Sequence, residues 1–171
     1  MTDTRIATMT DRNFPPQGLT PSAEQIQRNL RRAQAVAQRS TQMCHHPFGA
    51  VLVGPDQETV LMEQCNIDTV NHAESTLARM AATNYTAEFL WSCTLYTNVE
   101  PCCMCAGTAY WANIGRIVFG MTEHRLLECR SESGDIGGVI KPCGMQDFDS
   151  RCSEAAVSIG IGTGVLTTVD Q

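Results

Sequence analysis

The stretch from Cys93 to Gly120 constrains the fold most, because a helix pattern lies between two strand patterns. CTLYTNV (93–99) and RIVFG (116–120) are typical of strands, and PCCMCAGTAYWAN (101–113) between them is typical of a helix. Two strands joined by one helix are expected to be parallel, with a right-handed crossover. The segment therefore predicts an α/β domain in which a helix begins just after the end of a strand.

Patterns on both sides of this segment extend the predicted sheet. FGAVLVG (48–54) and TVLMEQC (59–65) flank a turn sequence and predict a hairpin. NHAESTLARMAATNY (71–85) predicts a helix capped by Asn71, and AAVSIGIGTGVLTT (155–168) predicts a strand weakened by glycines. The predicted fold class is therefore α/β, a three-layer α/β/α domain with one mixed five-stranded sheet.

The two ends of the chain are expected to differ from this core. Residues 1–19 predict a loose N-terminal arm, after which Thr20 and Pro21 begin a helix as its cap and first residue. A helix near 122–130 leads into a divergent C-terminal segment, 131–171, which begins as a long loop rich in Gly, Asp and Ser. Because no repeat and no interdomain linker is evident, residues 1–171 predict a single domain.

Composition and charge argue against several classes of function. The net charge of −6 and the pI near 5.1 give no support for binding to nucleic acid or to a membrane. No apolar run approaches the roughly 20 residues of a membrane span, and the N-terminal residues lack the apolar core of a secretory signal. These features predict a cytoplasmic protein whose nine cysteines are mostly buried thiols, with some of them holding a metal. The arginines of the first helix are interpreted as its solvated face; they are Arg28, Arg31, Arg32 and Arg39.

Three cysteines cluster at the start of the predicted crossover helix. Cys102 and Cys105 stand three residues apart, so their sulfur atoms can lie on one face and share a metal. The partial positive charge of a helix N-terminus favours the thiolate form that a metal binds. Cys103 points about 100° away around the helix and is expected to pack in the interior. Taken alone, this stretch fits a redox pair, half of a structural zinc site, or two ligands of a catalytic metal.

The upstream motif NHAE narrows this choice. His72 is a natural zinc ligand, and Glu74 follows it in the first turn of the same predicted helix. One helix and one strand separate the motif from the cysteines, so both helices can begin at the same end of the sheet. One imidazole and two thiolates leave the fourth tetrahedral position of Zn²⁺ open for water, which is the mark of a catalytic site. A carboxylate beside such a metal can take a proton and deliver it to a leaving amine.

The combination of H-x-E with P-C-x-x-C is the signature of the zinc deaminases. Through PFGAVLV, HAE, EPCCMCAG and IGRIVFG, the chain resembles the cytidine deaminase superfamily, in the branch that holds guanine deaminases and tRNA adenosine deaminases. The resemblance implies a cytidine deaminase-like fold. It also implies one Zn²⁺ per chain, held by His72, Cys102 and Cys105, with Glu74 as the catalytic proton shuttle.

The same resemblance implies substrate contacts and partners. Asn66 matches an asparagine that bonds the substrate ring, and Asp135 is the candidate acid from the C-terminal segment. The implied substrate-binding residues are Asn66, Phe48, Ala73, Trp111 and Asp135. The implied substrate is a small-molecule nucleobase or nucleoside that reacts with water, most of all a guanine-type purine base. A homodimer is implied as well, because superfamily members usually complete their pockets across a subunit interface.

Several alternatives stay open at this point. A tRNA adenosine deaminase, or a cytosine, aminotriazine or pterin deaminase, shares the core motif. Residues 121–171 carry more acidic than basic side chains, which is unfavourable for an RNA backbone. A redox pair leaves the NHAE motif without a role. A structural zinc site, the alternative without catalysis, needs a fourth ligand from Cys65, Cys103 or His45.

Overall fold

The computed structural model describes residues 17–132, 157–160 and 166–168. Five helices and six strands lie within these ranges. In chain order they are α1 (Ala23–Gln42), β1 (Gly49–Val53), β2 (Val60–Cys65), α2 (Ala73–Asn84), α3 (Ala87–Trp91), β3 (Thr94–Thr97), α4 (Cys103–Trp111), β4 (Arg116–Phe119), α5 (Glu123–Glu132), β5 (Val157–Gly160) and β6 (Leu166–Thr168). The order of helices and strands is that of an α/β protein, as the sequence predicts.

All six strands pair in one mixed sheet with the order β2-β1-β3-β4-β5-β6. The β3–β4 pair is parallel, as expected for strands joined by the crossover helix α4, and the other pairs are antiparallel. The predicted number of five strands was wrong. Four strands lie between Gly49 and Phe119, and the segment predicted as one C-terminal strand contains two, β5 and β6.

The core lies on both sides of β1, whose five residues are all buried. Ala50 and Leu52 belong to a cluster with residues of α2 and α4, whereas Val51 and Val53 belong to a second cluster with residues of α1. Because alternate strand residues point to opposite faces, this explains why β1 is a continuous apolar run. A Cβ on Gly49 would lie 2.5 Å from the Ala33 carbonyl oxygen, so glycine at this position allows α1 to pack closely on the sheet.

One end of the sheet collects the starts of two helices. Ala50 pairs with Thr97 and Gly49 pairs with Cys65, so the first residues of β1 lie beside the last residues of β2 and β3. The chain leaves β2 toward α2 and leaves β3 toward α4 at this end. The predicted placement of both helix starts at one end of the sheet is confirmed.

Two helix caps differ from the prediction, and one short helix was not expected. Ser22, not Thr20, caps α1, because its side chain and that of Gln25 exchange hydrogen bonds with each other's backbone in a capping box. His72 holds the cap position of α2, whereas the Asn71 amide bonds to the side chains of Asp68 and Arg79. Five-residue α3 was not predicted.

The boundary of the expected N-terminal arm also changes. Gln17 donates a side-chain hydrogen bond to the Gly115 carbonyl at 2.5 Å, and Arg116 donates one to the Leu19 carbonyl at 2.9 Å. Residues 17–19 are therefore attached to the sheet, and the arm predicted over 1–19 was wrong for these residues. At the other end, α5 includes the first two residues of the predicted loop, 131 and 132.

None of the helices in the described part of the chain is long and apolar enough to cross a membrane.

Candidate zinc site

Three predicted metal ligands come together at the helix starts. The Nδ1 atom of His72 lies 3.6 Å from Cys102 Sγ and 3.5 Å from Cys105 Sγ, and the three ligand atoms lie within 4.8 Å of one another. Tetrahedral zinc, with bonds of about 2.3 Å to sulfur and about 2.05 Å to nitrogen, separates these atoms by about 3.6 Å. The donor set and its spacing therefore fit Zn²⁺. No fourth His, Cys, Asp or Glu joins this group within the part of the chain that the structure describes.

The helix starts explain how these side chains are presented. His72 and Cys102 occupy the cap positions of α2 and α4 with extended backbone, and neither side chain makes a capping hydrogen bond. Both side chains are therefore available to a ligand beyond the helix end. The aligned N–H groups of each helix also carry partial positive charge there, which favours thiolates.

The burial of Cys105 beside Glu74 makes the thiolate unstable unless a cation is bound. Cys105 is buried, and burial together with the neighbouring Glu74 and Cys102 raises the pKa of the Cys105 thiol well above its ordinary value. Without a cation this thiol stays neutral, since a second anion beside a carboxylate is costly in a low-dielectric environment. A divalent cation reverses that preference and deprotonates the thiol.

Glu74 lies beside the three ligands but outside their group. It is only 5% exposed, its Oε1 accepts a hydrogen bond from Thr97 Oγ1 at 2.7 Å, and its Oε2 lies 3.5 Å from Cys105 Sγ. A buried carboxylate held in this way, beside three residues whose spacing fits Zn²⁺, is placed as a general acid–base would need to be.

A short loop connects Asn66 to His72. A hydrogen bond of 3.0 Å from the Ile67 N–H to the Asn71 carbonyl closes this loop, and Asn66 and His72 are the residues on either side of it. The Asn66 Nδ2 donates to the Asp68 carbonyl at 2.9 Å. Its buried Oδ1 finds no hydrogen-bond partner among the described residues, which leaves one acceptor available for a ligand.

Phe48 and Ala73 lie at the same end of the sheet. Phe48 is half-buried and packs against the core cluster that contains α2, and its carbonyl accepts the Asn66 N–H at 3.0 Å. Ala73, the first residue of α2, is fully buried in that cluster. Phe48 can therefore line a substrate site, while the Ala73 side chain contributes to the packing that supports the helix start.

The remaining predicted site residues are not brought to the group. Trp111 is the last residue of α4, nine residues beyond Cys102, which is about 14 Å along a helix, and it is 85% exposed. Asp135 lies outside the described residues. Cys103, expected in the interior, is exposed, because the buried side of α4 is the one that carries Cys105 and Ala109.

Sequence reasoning missed the polar residues that support the site. Thr97 reads as an ordinary strand residue, and Asn98 and Asp68 read as turn residues, so nothing local marks them. The signal lies in a long-range contact: Thr97 meets Glu74 only because the fold brings the end of β3 to the start of α2.

Comparisons with known proteins identify a family and several relatives of this chain. The family described as the cytidine and deoxycytidylate deaminase zinc-binding region matches residues 23–121. A probable cytosine deaminase of Schizosaccharomyces pombe is 32% identical over 109 residues, which cover 62% of this chain and 66% of that protein. The guanine deaminase of Bacillus subtilis is 44% identical over 82 residues, which cover 46% of this chain and 51% of that protein.

A solved structure from work on tRNA A34 deaminases and A-to-I editing has a TM-score of 0.51 and 30% identity, and it covers 58% of this chain and 78% of that one. The matches thus include proteins named for three different substrates, and the chain spans 66% and 51% of the two curated relatives described above. The motif, the cluster of ligands and the match over residues 23–121 lead to one assignment. The chain belongs to the cytidine and deoxycytidylate deaminase family.

Proposed function

We propose that this protein is a zinc-dependent hydrolytic deaminase that replaces the exocyclic amine of a free nucleobase or nucleoside by oxygen and releases ammonia. A guanine-type purine base is the first candidate substrate. The observation that carries the proposal is the position of Glu74, which is buried next to the His72, Cys102 and Cys105 group without being part of it. A structural zinc site would need a fourth protein ligand, and no fourth His, Cys, Asp or Glu joins the group among the described residues.

Different residues of the chain would bind the metal and transfer the proton. His72, Cys102 and Cys105 would hold one Zn²⁺, which supplies a Lewis acid that lowers the pKa of water when it is bound. Glu74 would take a proton at the oxygen that Thr97 does not occupy, Oε2, and deliver it to the leaving amine. The buried surroundings of Glu74 keep bulk water away from this transfer.

Asn66 supports the choice of a guanine-type base. Its Nδ2 already donates to the Asp68 carbonyl, so the group that it offers to a ligand is the acceptor Oδ1. In guanine an N–H donor adjoins the carbon that loses its amine, whereas adenine and cytosine carry an acceptor at the corresponding ring nitrogen. An unpaired acceptor at this place therefore favours guanine over the other two bases.

A tRNA adenosine deaminase is the second candidate, because the tRNA A34 deaminase structure is 30% identical to this chain. The ion pairs of the arginines on α1 weigh against it. Arg28 forms an ion pair with Glu58, and both Arg32 and Arg39 pair with Glu63. Arginines already paired with carboxylates are poor phosphate contacts, and the net charge of −6 opposes RNA binding in general.

A homodimer is part of the proposal. Met104, Gly107 and Trp111 follow one another at helical spacing on the outer face of α4. Met104 is 36% exposed and Trp111 is 85% exposed, and a Cβ on Gly107 would meet no atom of the described residues within 4 Å. This open apolar stripe is suited to contact a second copy of the chain.

Ammonia release from a substrate panel tests the proposed reaction. The panel contains guanine, adenine, cytosine, their nucleosides, an aminotriazine, a pterin and a tRNA stem-loop. We expect guanine to be turned over and the stem-loop not to be. Turnover of the stem-loop alone would replace the first candidate by the second.

The variant Glu74→Gln provides the matched control for this panel. It should retain zinc and the fold and lose activity by about 10²–10⁴-fold, which is the usual contribution of a general acid–base. A fully active Glu74→Gln protein would place the chemistry elsewhere. Loss of zinc in this variant would instead indicate that Glu74 is a ligand of a structural site.

A further inference from the structure

Two consecutive polar residues lie at the end of β3. In the reaction described above, Thr97 only occupies one oxygen of Glu74 and Asn98 takes no part. Thr97 is the last residue of β3, Asn98 follows it, and both are buried. Consecutive residues of an extended chain direct their side chains to opposite sides. The preceding pair shows the same alternation, since Leu95 belongs to the core cluster with α2 and Tyr96 to the cluster with α1. Thr97 and Asn98 therefore serve different neighbours.

Thr97 serves the proton shuttle. Its hydroxyl donates to Glu74 Oε1 at 2.7 Å, across a sequence separation of 23 residues. Thr97 is fully buried and Glu74 is 5% exposed, so water does not compete strongly for this bond. The bond occupies one carboxylate oxygen and restricts rotation of the group, which leaves Oε2 on the side of Cys105.

Asn98 serves the segment that carries Phe48. Its Nδ2 donates to the Pro47 carbonyl at 2.9 Å, and its Oδ1 accepts the Gly49 N–H at 3.0 Å. These two bonds lie on either side of Phe48 in the chain. The Phe48 carbonyl in turn accepts the backbone N–H of Asn66 at 3.0 Å. The backbone around Phe48 is thus held by Asn98, the residue after β3, and by Asn66, the residue after β2.

We propose that Thr97 and Asn98 are two positioning residues with separate tasks. Thr97 orients Glu74 for proton transfer, and Asn98 fixes the edge of the substrate site that Phe48 and Asn66 form. Both act through another residue. The inference rests on the proposed function for the roles of Glu74, Phe48 and Asn66, and it adds that β3 sets the rate and the substrate affinity through different side chains.

The two tasks predict effects on different kinetic constants, kcat for Thr97 and KM for Asn98. Thr97→Val keeps the shape of the side chain and removes the hydroxyl, so kcat should fall about tenfold or more while KM stays within about twofold. Asn98→Ala releases the Phe48 segment, so KM should rise about tenfold while kcat changes little. Both variants should keep one zinc per chain, because neither residue belongs to the ligand group.

Matched variants separate positioning from a general loss of stability. Thr97→Ser retains the hydroxyl and should restore most of kcat. Thr94→Val removes a hydroxyl from the other end of the same buried strand and should leave both constants unchanged. If Asn98→Ala does not fold, Asn98→Asp replaces it, because this side chain still accepts from Gly49 but no longer donates to Pro47, and KM should rise. Equal changes of kcat and KM at both positions would overturn the proposal.

Two measurements without turnover keep this inference distinct from the proposed function. The infrared carboxylate band of Glu74, identified by its loss in Glu74→Gln, should shift in Thr97→Val but not in Thr97→Ser or Thr94→Val. Equilibrium binding of guanine to the Glu74→Gln protein should weaken about tenfold when Asn98→Ala is added. An unshifted band would refute the role of Thr97, and guanine binding that Asn98→Ala leaves unchanged would refute that of Asn98. If the Glu74→Gln protein itself binds no guanine, the substrate site assigned to Phe48 and Asn66 fails, and the role of Asn98 fails with it. If no substrate is turned over, the proposed function fails while these two results still decide the inference.

Discussion

At the scale of one residue, the buried and unpaired Oδ1 of Asn66 leads to a prediction about substrate binding. In Asn66→Ala the acceptor for the ring N–H disappears, so kcat/KM for guanine should fall. The loss should correspond to about 1–3 kcal/mol of transition-state stabilisation, which is the cost of an unpaired buried polar group. Zinc content should not change. Asn29→Ala is the matched control. Asn29 is also a buried asparagine, but it lies on α1 and donates to the Gln57 carbonyl. An equal loss for guanine and for a base without the ring N–H would refute this binding mode.

Helix α4 carries a buried cysteine, Cys105, and an exposed one, Cys103, and the pair gives a second prediction at this scale. Cys105→Ser should lower zinc from one per chain to a small fraction, because a buried serine hydroxyl does not deprotonate to bind Zn²⁺ as a thiolate does. Cys103→Ser should retain zinc, since Cys103 is exposed on the other side of the helix. Metal analysis of the purified proteins provides the measurement. A Cys105→Ser protein with full zinc would show that the metal lies elsewhere.

Individual residues were predictable where their chemistry is specific to their type. His72, Cys102 and Cys105 combine a strong motif with positions at helix starts, and the structure places their ligand atoms together. Cys103 was assigned to the interior because the sequence shows the angle around a helix but not which side of the helix is covered. Thr97 could not be found, because its only relevant property is a contact with a residue 23 positions away.

At the scale of elements, the loop between β2 and α2 controls how Asn66 and His72 are held. The Asp68 carboxylate accepts hydrogen bonds from the Val70 and Asn71 N–H groups and from the Asn71 side chain. The bonds from Asn71 and Val70 lower the pKa of Asp68 to about 2. The loop is therefore held by a carboxylate that stays charged at any pH near neutrality.

The pH dependence of this loop follows from the sign of that shift. Because the folded pKa is below the ordinary value of about 3.9, the contribution to stability is complete above about pH 4 and is lost as the pH falls through 2. Asp68→Ala should remove it at every pH, so the Val70 and Asn71 amides should exchange hydrogen faster at pH 6. It should also bind zinc more weakly, since the loop ends next to His72.

Asp56 offers a matched control on the same sheet. Its carboxylate also accepts backbone N–H bonds, from Glu58 and Thr59, which together with the Thr59 hydroxyl lower its pKa. It lies in the β1–β2 turn, at the other end of β2 from Asn66. Asp56→Ala should speed exchange in that turn and leave zinc affinity unchanged. Equal effects of the two variants on zinc would contradict a specific role for the loop of Asp68.

Elements were predictable where the local pattern is long and periodic, as in α1, α2, β1 and the β3–α4–β4 crossover. Helix α3 was missed because five residues, Ala87–Trp91, carry too little periodicity to be recognised. The order of the strands also needs information beyond the local pattern. The hairpin places β2 at one edge of β1, but only the long-range pairing with β3 makes β1 an internal strand.

At the scale of the whole molecule, charge and exposed apolar surface decide which partners fit. The acidic chain and the paired arginines of α1 favour a small substrate over RNA. The outer face of α4 is different, because Tyr110 and Trp111 form an edge-to-face pair with ring centroids 5.3 Å apart, and they are 55% and 85% exposed. Exposed aromatic pairs are more typical of an interface than of a solvated helix.

We therefore expect sedimentation at micromolar concentration to give a homodimer. Trp111→Glu should shift it to a monomer, because a charge at the centre of an apolar contact is desolvated without a partner. Leu19→Glu is the control: Leu19 is also an exposed apolar residue, at 69%, but it lies in the segment before α1. If the substrate site is completed across the interface, Trp111→Glu should also lower kcat/KM while each chain keeps its zinc, since Trp111 lies about 14 Å along α4 from Cys102. A monomeric native protein, or a Trp111→Glu variant that remains a dimer, would exclude α4 as the contact.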